Sequence, residues 1–185
     1  MNLTSDPCFE IFTGPMFGGK TSLMLAAISR EKYRNKKIIA FKPKMDHRYS
    51  DSYISTHTGY KLEATPVSTG EEILELAEEY DVIAVDEAFM IDGSAMALKS
   101  LFSSGKSIYV ASIQLSAAGN AFEEIQLMMP WATRIEICTA VCQVTGKDAY
   151  YTVRISKPGE EIEVGGAETY QPRSFSATPF IREND

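Results

Sequence analysis

Residues Gly14-Pro15-Met16-Phe17-Gly18-Gly19-Lys20-Thr21 fit the pattern G-x-x-x-x-G-K-[ST]. Such a segment constrains the fold because it works only between a strand and a helix. Glycines let the backbone curl until its N–H groups point inward at phosphate oxygens. The helix that follows aims its N-terminal dipole at the same oxygens. Lys20 then reaches the β- and γ-phosphates, and the Thr21 hydroxyl ligates Mg²⁺. The flanks agree. Cys8–Thr13 is a short apolar run that reads as a buried strand, and Leu23, Met24, Ala27 and Ile28 recur at helical spacing after it.

The rest of the chain repeats this alternation. Further strands are expected at Lys37–Phe41, Asp81–Asp86, Ser107–Ser112 and Arg134–Thr139. Helices are expected after the capping box Thr69-Gly70-Glu71-Glu72, over Gly93–Ser103, and over Phe122–Met129 up to Pro130. Pro43–Tyr60 lacks a clear period and reads as a loop or loose hairpin over the site. The pattern predicts an α/β phosphate-loop fold, with a mostly parallel sheet flanked by helices. The character changes near Gln143. Ala149–Ile155 and Glu160–Val164 flank the turn Lys157-Pro158-Gly159, which suggests a hairpin, and the chain reads as loop after Gly165. The expected division is a core over 1–141 and a small lobe over 142–185.

Val82-Ile83-Ala84-Val85-Asp86-Glu87 is a buried strand running into two carboxylates. An Asp at such a strand end holds Mg²⁺ in phosphate-loop proteins, often through water. Asp86 is placed for that role, together with Thr21. Glu87 is then free to take the proton of an attacking hydroxyl or water. The sequence leaves water and alcohol open as acceptors.

Composition narrows the partners. With 185 residues and a net charge of -7, the chain is a poor candidate for sequence-independent nucleic-acid binding, which needs clustered Lys and Arg. It has no apolar run long enough to span a membrane and no signal-peptide pattern. Its three cysteines, Cys8, Cys138 and Cys142, suit a reducing cytoplasm better than a disulfide framework.

Read in order, GPMFGGKT, Lys42-Pro43-Lys44-Met45-Asp46-His47-Arg48-Tyr49, VDEAF, Thr139-Ala140-Val141-Cys142 and Val164-Gly165-Gly166-Ala167-Glu168-Thr169-Tyr170 resemble the thymidine kinase family of the cytosolic human type. The resemblance spans about residues 9–172. It implies transfer of the γ-phosphate of ATP, with Mg²⁺, to the 5′-hydroxyl of thymidine or deoxyuridine. It makes Glu87 the catalytic carboxylate, with Lys20 and Arg48 beside it. Asp46 and Arg48 match a polar pair near the phosphates, and Ala88 and Phe89 follow Glu87 on the nucleotide side. Met16 and Thr139 match positions lining the thymine pocket. Glu163, Val164, Gly165, Gly166 and Tyr170 match a lasso-like loop that closes over the nucleoside. A homo-oligomer, commonly a tetramer, is implied as well.

Three departures accompany the resemblance. The family usually carries a zinc ribbon of four ligands, two near Cys142 and two after Tyr170. Here Cys142 is followed by Gln143-Val144-Thr145, and the tail after Tyr170 has no cysteine, so no structural zinc is expected. Gln114 and Ala117 stand where an Asp and a base-stacking Phe are usual, and Phe89 stands where Gln is common. The latter changes surround the acceptor pocket and leave the nucleoside open. A kinase for a modified pyrimidine deoxynucleoside, or a non-catalytic or hydrolytic nucleotide-binding paralogue, is the alternative.

Overall fold

The computed structural model describes residues 6–46, 52–55, 61–157 and 159–182. Strand β1 (Phe9–Thr13) enters the phosphate loop, which leads into α1 (Lys20–Lys32). Then follow β2 (Ile38–Pro43), β3 (Tyr53–Ser55), β4 (Lys61–Glu63), β5 (Thr65–Val67) and α2 (Gly70–Leu76). The core continues with β6 (Val82–Asp86), α3 (Ser94–Ser103), β7 (Ser107–Ala111), α4 (Glu123–Met128) and β8 (Arg134–Ile137). Among the described residues the central sheet is six-stranded and parallel, in the order β5-β2-β6-β7-β1-β8.

The parallel sheet is buried on both faces, so its strands read as nearly unbroken apolar runs. Alternate residues still divide between the two layers. Ile83 and Val85 of β6 pack with Ile11, Ile108 and Val110 under α2, α3 and α4, contributed by Ile73, Leu98 and Ile125. Val82 and Ala84 face the opposite way, with Phe12 and Ala40, against Met24, Leu25 and Ile28 of α1. The expected helix spacing of Met24 and Ile28 therefore serves one face of the sheet alone.

Beyond β8 the chain forms short antiparallel pairs. β9 (Ala140–Val141) pairs with β10 (Asp148–Ala149), and β11 (Tyr151–Arg154) pairs with β12 (Tyr170–Arg173). This corrects the expected hairpin. The partner of Tyr151–Arg154 is Tyr170–Arg173, not Glu160–Val164, and the chain after Gly165 contains that strand followed by α5 (Pro179–Arg182). The reason is burial. Tyr170 and Pro172 alternate inward along β12, whereas Glu160, Glu161 and Glu163 are exposed. Pro158 of the expected turn lies outside the described residues. In the segment Pro43–Tyr60 the hairpin reading holds in part: Tyr53–Ser55 pairs antiparallel with Lys61–Glu63.

Candidate active site

All six sheet strands point the same way, so β1 and β6 deliver their carboxyl ends to one edge, where open α/β sheets bind ligands. The phosphate loop leaves β1 there. Gly14 has φ 133°, and a Cβ would lie 2.1 Å from the Cys138 carbonyl oxygen, so only glycine passes beneath that strand end. Phe17 also lies in the left-handed region, at φ 65°. At the start of α1, Gly19 (φ 78°) offers no side-chain cap and the first turn carries no acidic residue. The helix N–H groups left over are suited to an anion. Lys20 is buried, with its ammonium donating to the Pro15 carbonyl at 2.8 Å, folded across the curl.

β6 ends with Asp86 at the same edge. Its carboxylate accepts a hydrogen bond from the Thr21 hydroxyl at 3.1 Å. Hydroxyl and carboxylate are hard oxygen donors of the kind Mg²⁺ takes with water and phosphate oxygens, so this pair fits the ion the family implies. Glu87 follows with φ 51°, a left-handed conformation that costs a non-glycine residue about 1–2 kcal/mol. Its backbone N–H donates to the Ala111 carbonyl at 2.7 Å, which fixes this turn onto the end of β7.

Two clefts meet here. The first runs along the loop and is lined by Lys20, Thr21, Lys42, Asp46, Tyr53 and Asp86, among others. The second lies beside Phe89, Met90, Ile113, Ala117, Phe122 and Tyr170, with Glu161, Ile162, Glu163 and Gly165 along its rim. Met16 and Glu87 border both. The second cleft is aromatic: the Phe89 and Phe122 rings sit 4.4 Å apart by centroid. Its rim is held by Arg154, which donates to the Glu163 carboxylate, and by the Tyr170 hydroxyl, which donates to the Glu163 carbonyl at 3.2 Å. Asn120 donates to Glu161 at 2.8 Å from the other side.

Most of the expected site residues thus come together. Gly14–Thr21, Asp46, Asp86 and Glu87 gather at the loop and its neighbouring turn; Phe89, expected on the nucleotide side, instead lines the second cleft with Glu163, Gly165 and Tyr170, while Ala88 is buried and it, Val164 and Gly166 line neither cleft. Thr139 is exposed and lines neither cleft. Arg48 and His47 lie outside the described residues. Three residues take roles that the sequence did not assign to them. Gln114 accepts from the Thr13 hydroxyl at 2.7 Å and the Gly14 N–H at 2.9 Å, pinning the start of the loop. Thr152 of β11 accepts from the Met16 N–H at 2.9 Å and lines the second cleft. Lys42, buried at the end of β2, adds a cation to the first cleft. Lys42 lay in a marked segment, beside Asp46, and Gln114 was marked only as a departure at the acceptor pocket. Gln114 and Thr152 make these contacts across a hundred residues or more of chain, with no local signal for them.

The protein-family profile described as Thymidine kinase matches residues 8–175. A curated protein named Thymidine kinase, from Rhodothermus sp. (strain ITI 518), is 32% identical over 165 residues, covering 89% of this chain and 78% of that protein.

Proposed function

This chain belongs to the thymidine kinase family and is a kinase phosphotransferase; we propose that it moves the γ-phosphoryl group of ATP to the 5′-hydroxyl of a pyrimidine deoxynucleoside, thymidine by default. The observation that carries this is the position of Glu87, on the border between the phosphate cleft and the aromatic cleft. A nucleoside seated beside Phe89, Phe122 and Tyr170 would bring its hydroxyl to that carboxylate.

In this reading the loop N–H groups and Lys20 hold the triphosphate, and Arg48 offsets charge that develops on the transferring group. Thr21 and Asp86 would hold Mg²⁺, partly through water; the ion neutralises phosphate oxygens when bound. Glu87 accepts the proton of the 5′-hydroxyl as its oxygen bonds to the γ-phosphorus, and the bond to the β-phosphate oxygen breaks to release ADP. Closure of the rim around Glu163–Gly166 and Tyr170 excludes water, which would otherwise compete as acceptor. A cytoplasmic homo-oligomer, tetrameric on the family's pattern, belongs to the same reading.

A second acceptor class is favoured by one feature: Ala117, not an aromatic residue, lines the second cleft. A modified or larger pyrimidine deoxynucleoside fits the room this leaves. Incubation with ATP, Mg²⁺ and a panel of natural and modified nucleosides, read out as nucleoside monophosphate, tests both. The proposal predicts a phosphorylated pyrimidine deoxynucleoside; no phosphorylated member would contradict it.

A further inference from the structure

Two turns of the small lobe, in the regions near Cys142 and after Tyr170 where the family resemblance implies zinc ligands, are brought together here with a different chemistry. The turn between β9 and β10 carries Cys142 and Thr145; the turn after β12 carries Ser174 and Ala177. The first turn is closed by the Gly146 N–H on the Cys142 carbonyl at 2.8 Å, and the Cys142 N–H donates to Lys147 at 2.9 Å. The second is closed by the Ala177 N–H on the Ser174 carbonyl at 3.0 Å, with the Thr178 hydroxyl donating to the same carbonyl at 2.8 Å.

Between the turns, the hydroxyls of Thr145 and Ser174 are hydrogen-bonded at 2.8 Å. The Cys142 side chain is fully buried beneath them. Burial raises its thiol pKa, while hydrogen bonding from Thr145 and Ser174 lowers it to about 6. Cys142, Ala140 and Ala149 form a small apolar cluster, against which Ala177 packs. Structural zinc takes four thiolate or imidazole donors. One thiol, two mutually paired hydroxyls and a methyl group do not supply them. Among the described residues, no group of three or more His, Cys, Asp or Glu side chains is placed to hold a metal.

We infer that these two turns form a metal-free clasp, in which the Thr145–Ser174 hydrogen bond over buried Cys142 ties β9–β10 to the end of β12 and so holds Tyr170 at the second cleft. Tyr170 opens β12, and Ser174 follows its last residue, so the clasp anchors one end of a strand whose other end faces the proposed acceptor. Loss of the clasp leaves the far end of β12 to its pairing with β11 and to the Tyr150 N–H on the Arg173 carbonyl. The part of the inference that concerns Tyr170 rests on the nucleoside-kinase reading; the clasp itself does not.

Zinc content and thermal midpoint of the purified full chain, with and without 1,10-phenanthroline, test the metal-free claim. The expected result is zinc well below one per chain and an unchanged midpoint. About one zinc per chain, removed by the chelator with a fall in midpoint, overturns it. Thr145→Val should lower the midpoint by roughly 2–4 °C, and Thr145→Ser should restore it; equal midpoints for all three chains overturn the clasp. Thr145→Cys/Ser174→Cys/Ala177→Cys should gain Co²⁺ binding with a tetrahedral thiolate spectrum. A folded triple variant without it contradicts the convergence of the four side chains. If that variant does not fold, the Thr145 pair still decides. For the link to Tyr170, Thr145→Val should raise the thymidine KM several-fold while the ATP KM stays put. An unchanged thymidine KM removes that link. Absence of any nucleoside-dependent turnover in the unaltered chain removes the kinase reading, while zinc content and midpoints still decide the clasp.

Discussion

The Thr21 hydroxyl donates to the Asp86 carboxylate across 3.1 Å, joining the first turn of α1 to the last residue of β6. Two elements more than sixty residues apart in sequence thereby meet beside the phosphate loop. If this pair holds Mg²⁺, Asp86→Asn should raise the Mg²⁺ concentration for half-maximal turnover by about 10–100-fold. Binding of metal-free ATP should change little. A Mg²⁺ titration of both chains decides it, and superimposable curves would remove Asp86 from the metal site.

Gln114 ties β7's exit loop to the start of the phosphate loop through the Thr13 hydroxyl and the Gly14 N–H. Gln114→Ala leaves those donors without this acceptor, at a cost of about 1–3 kcal/mol. We expect a lower thermal midpoint and roughly tenfold weaker ATP binding, with Gln114→Glu closer to the parent because it keeps an acceptor oxygen. Calorimetric ATP binding by the three chains checks the order. Equal affinities would show that the loop holds its shape without Gln114.

Phe89 and Ala117 both line the second cleft, and Phe89 packs on Phe122 with ring centroids 4.4 Å apart. Ala117→Phe would fill part of this cleft, where the proposed reading seats the base. The expected effect is a lower kcat/KM for nucleosides with bulky base substituents, by about 10–200-fold, with thymidine affected less. Phe89→Gln removes a ring face and should raise the thymidine KM. Kinetics across a graded series of substituted deoxyuridines would show it. A series unmoved by Ala117→Phe would place the base elsewhere.

The residues that show plainly in the sequence are those whose neighbours carry the information. The strand at Val82–Asp86 is a continuous apolar run because both faces are covered, and the phosphate loop announces itself through its glycines and lysine. The helix spacing of Met24 and Ile28 is visible for the same local reason. The pairing of Tyr151–Arg154 with Tyr170–Arg173 was not, because a nearer acidic segment after a Pro-Gly turn offered a simpler hairpin. What decides between them is which segment buries alternate side chains, a property of the assembled lobe. Thr152 is similarly silent: its role begins only when β11 brings its hydroxyl to the Met16 N–H, 136 residues away. Thr139 shows the converse, since a motif position read as pocket lining is exposed and borders neither cleft.

Glu87 stands in a left-handed turn, φ 51°, where the two clefts share a wall. Backbone strain of this kind persists where the surroundings fix it, and here it aims a carboxylate at the junction. The most direct measurement compares ADP release by the unaltered chain and by Glu87→Gln, each with saturating ATP and Mg²⁺, with and without thymidine. The account predicts thymidine-dependent release in the unaltered chain and a fall of about 10²–10⁴-fold in the variant, with ATP affinity retained. Near-equal thymidine-dependent turnover in the two chains would contradict it.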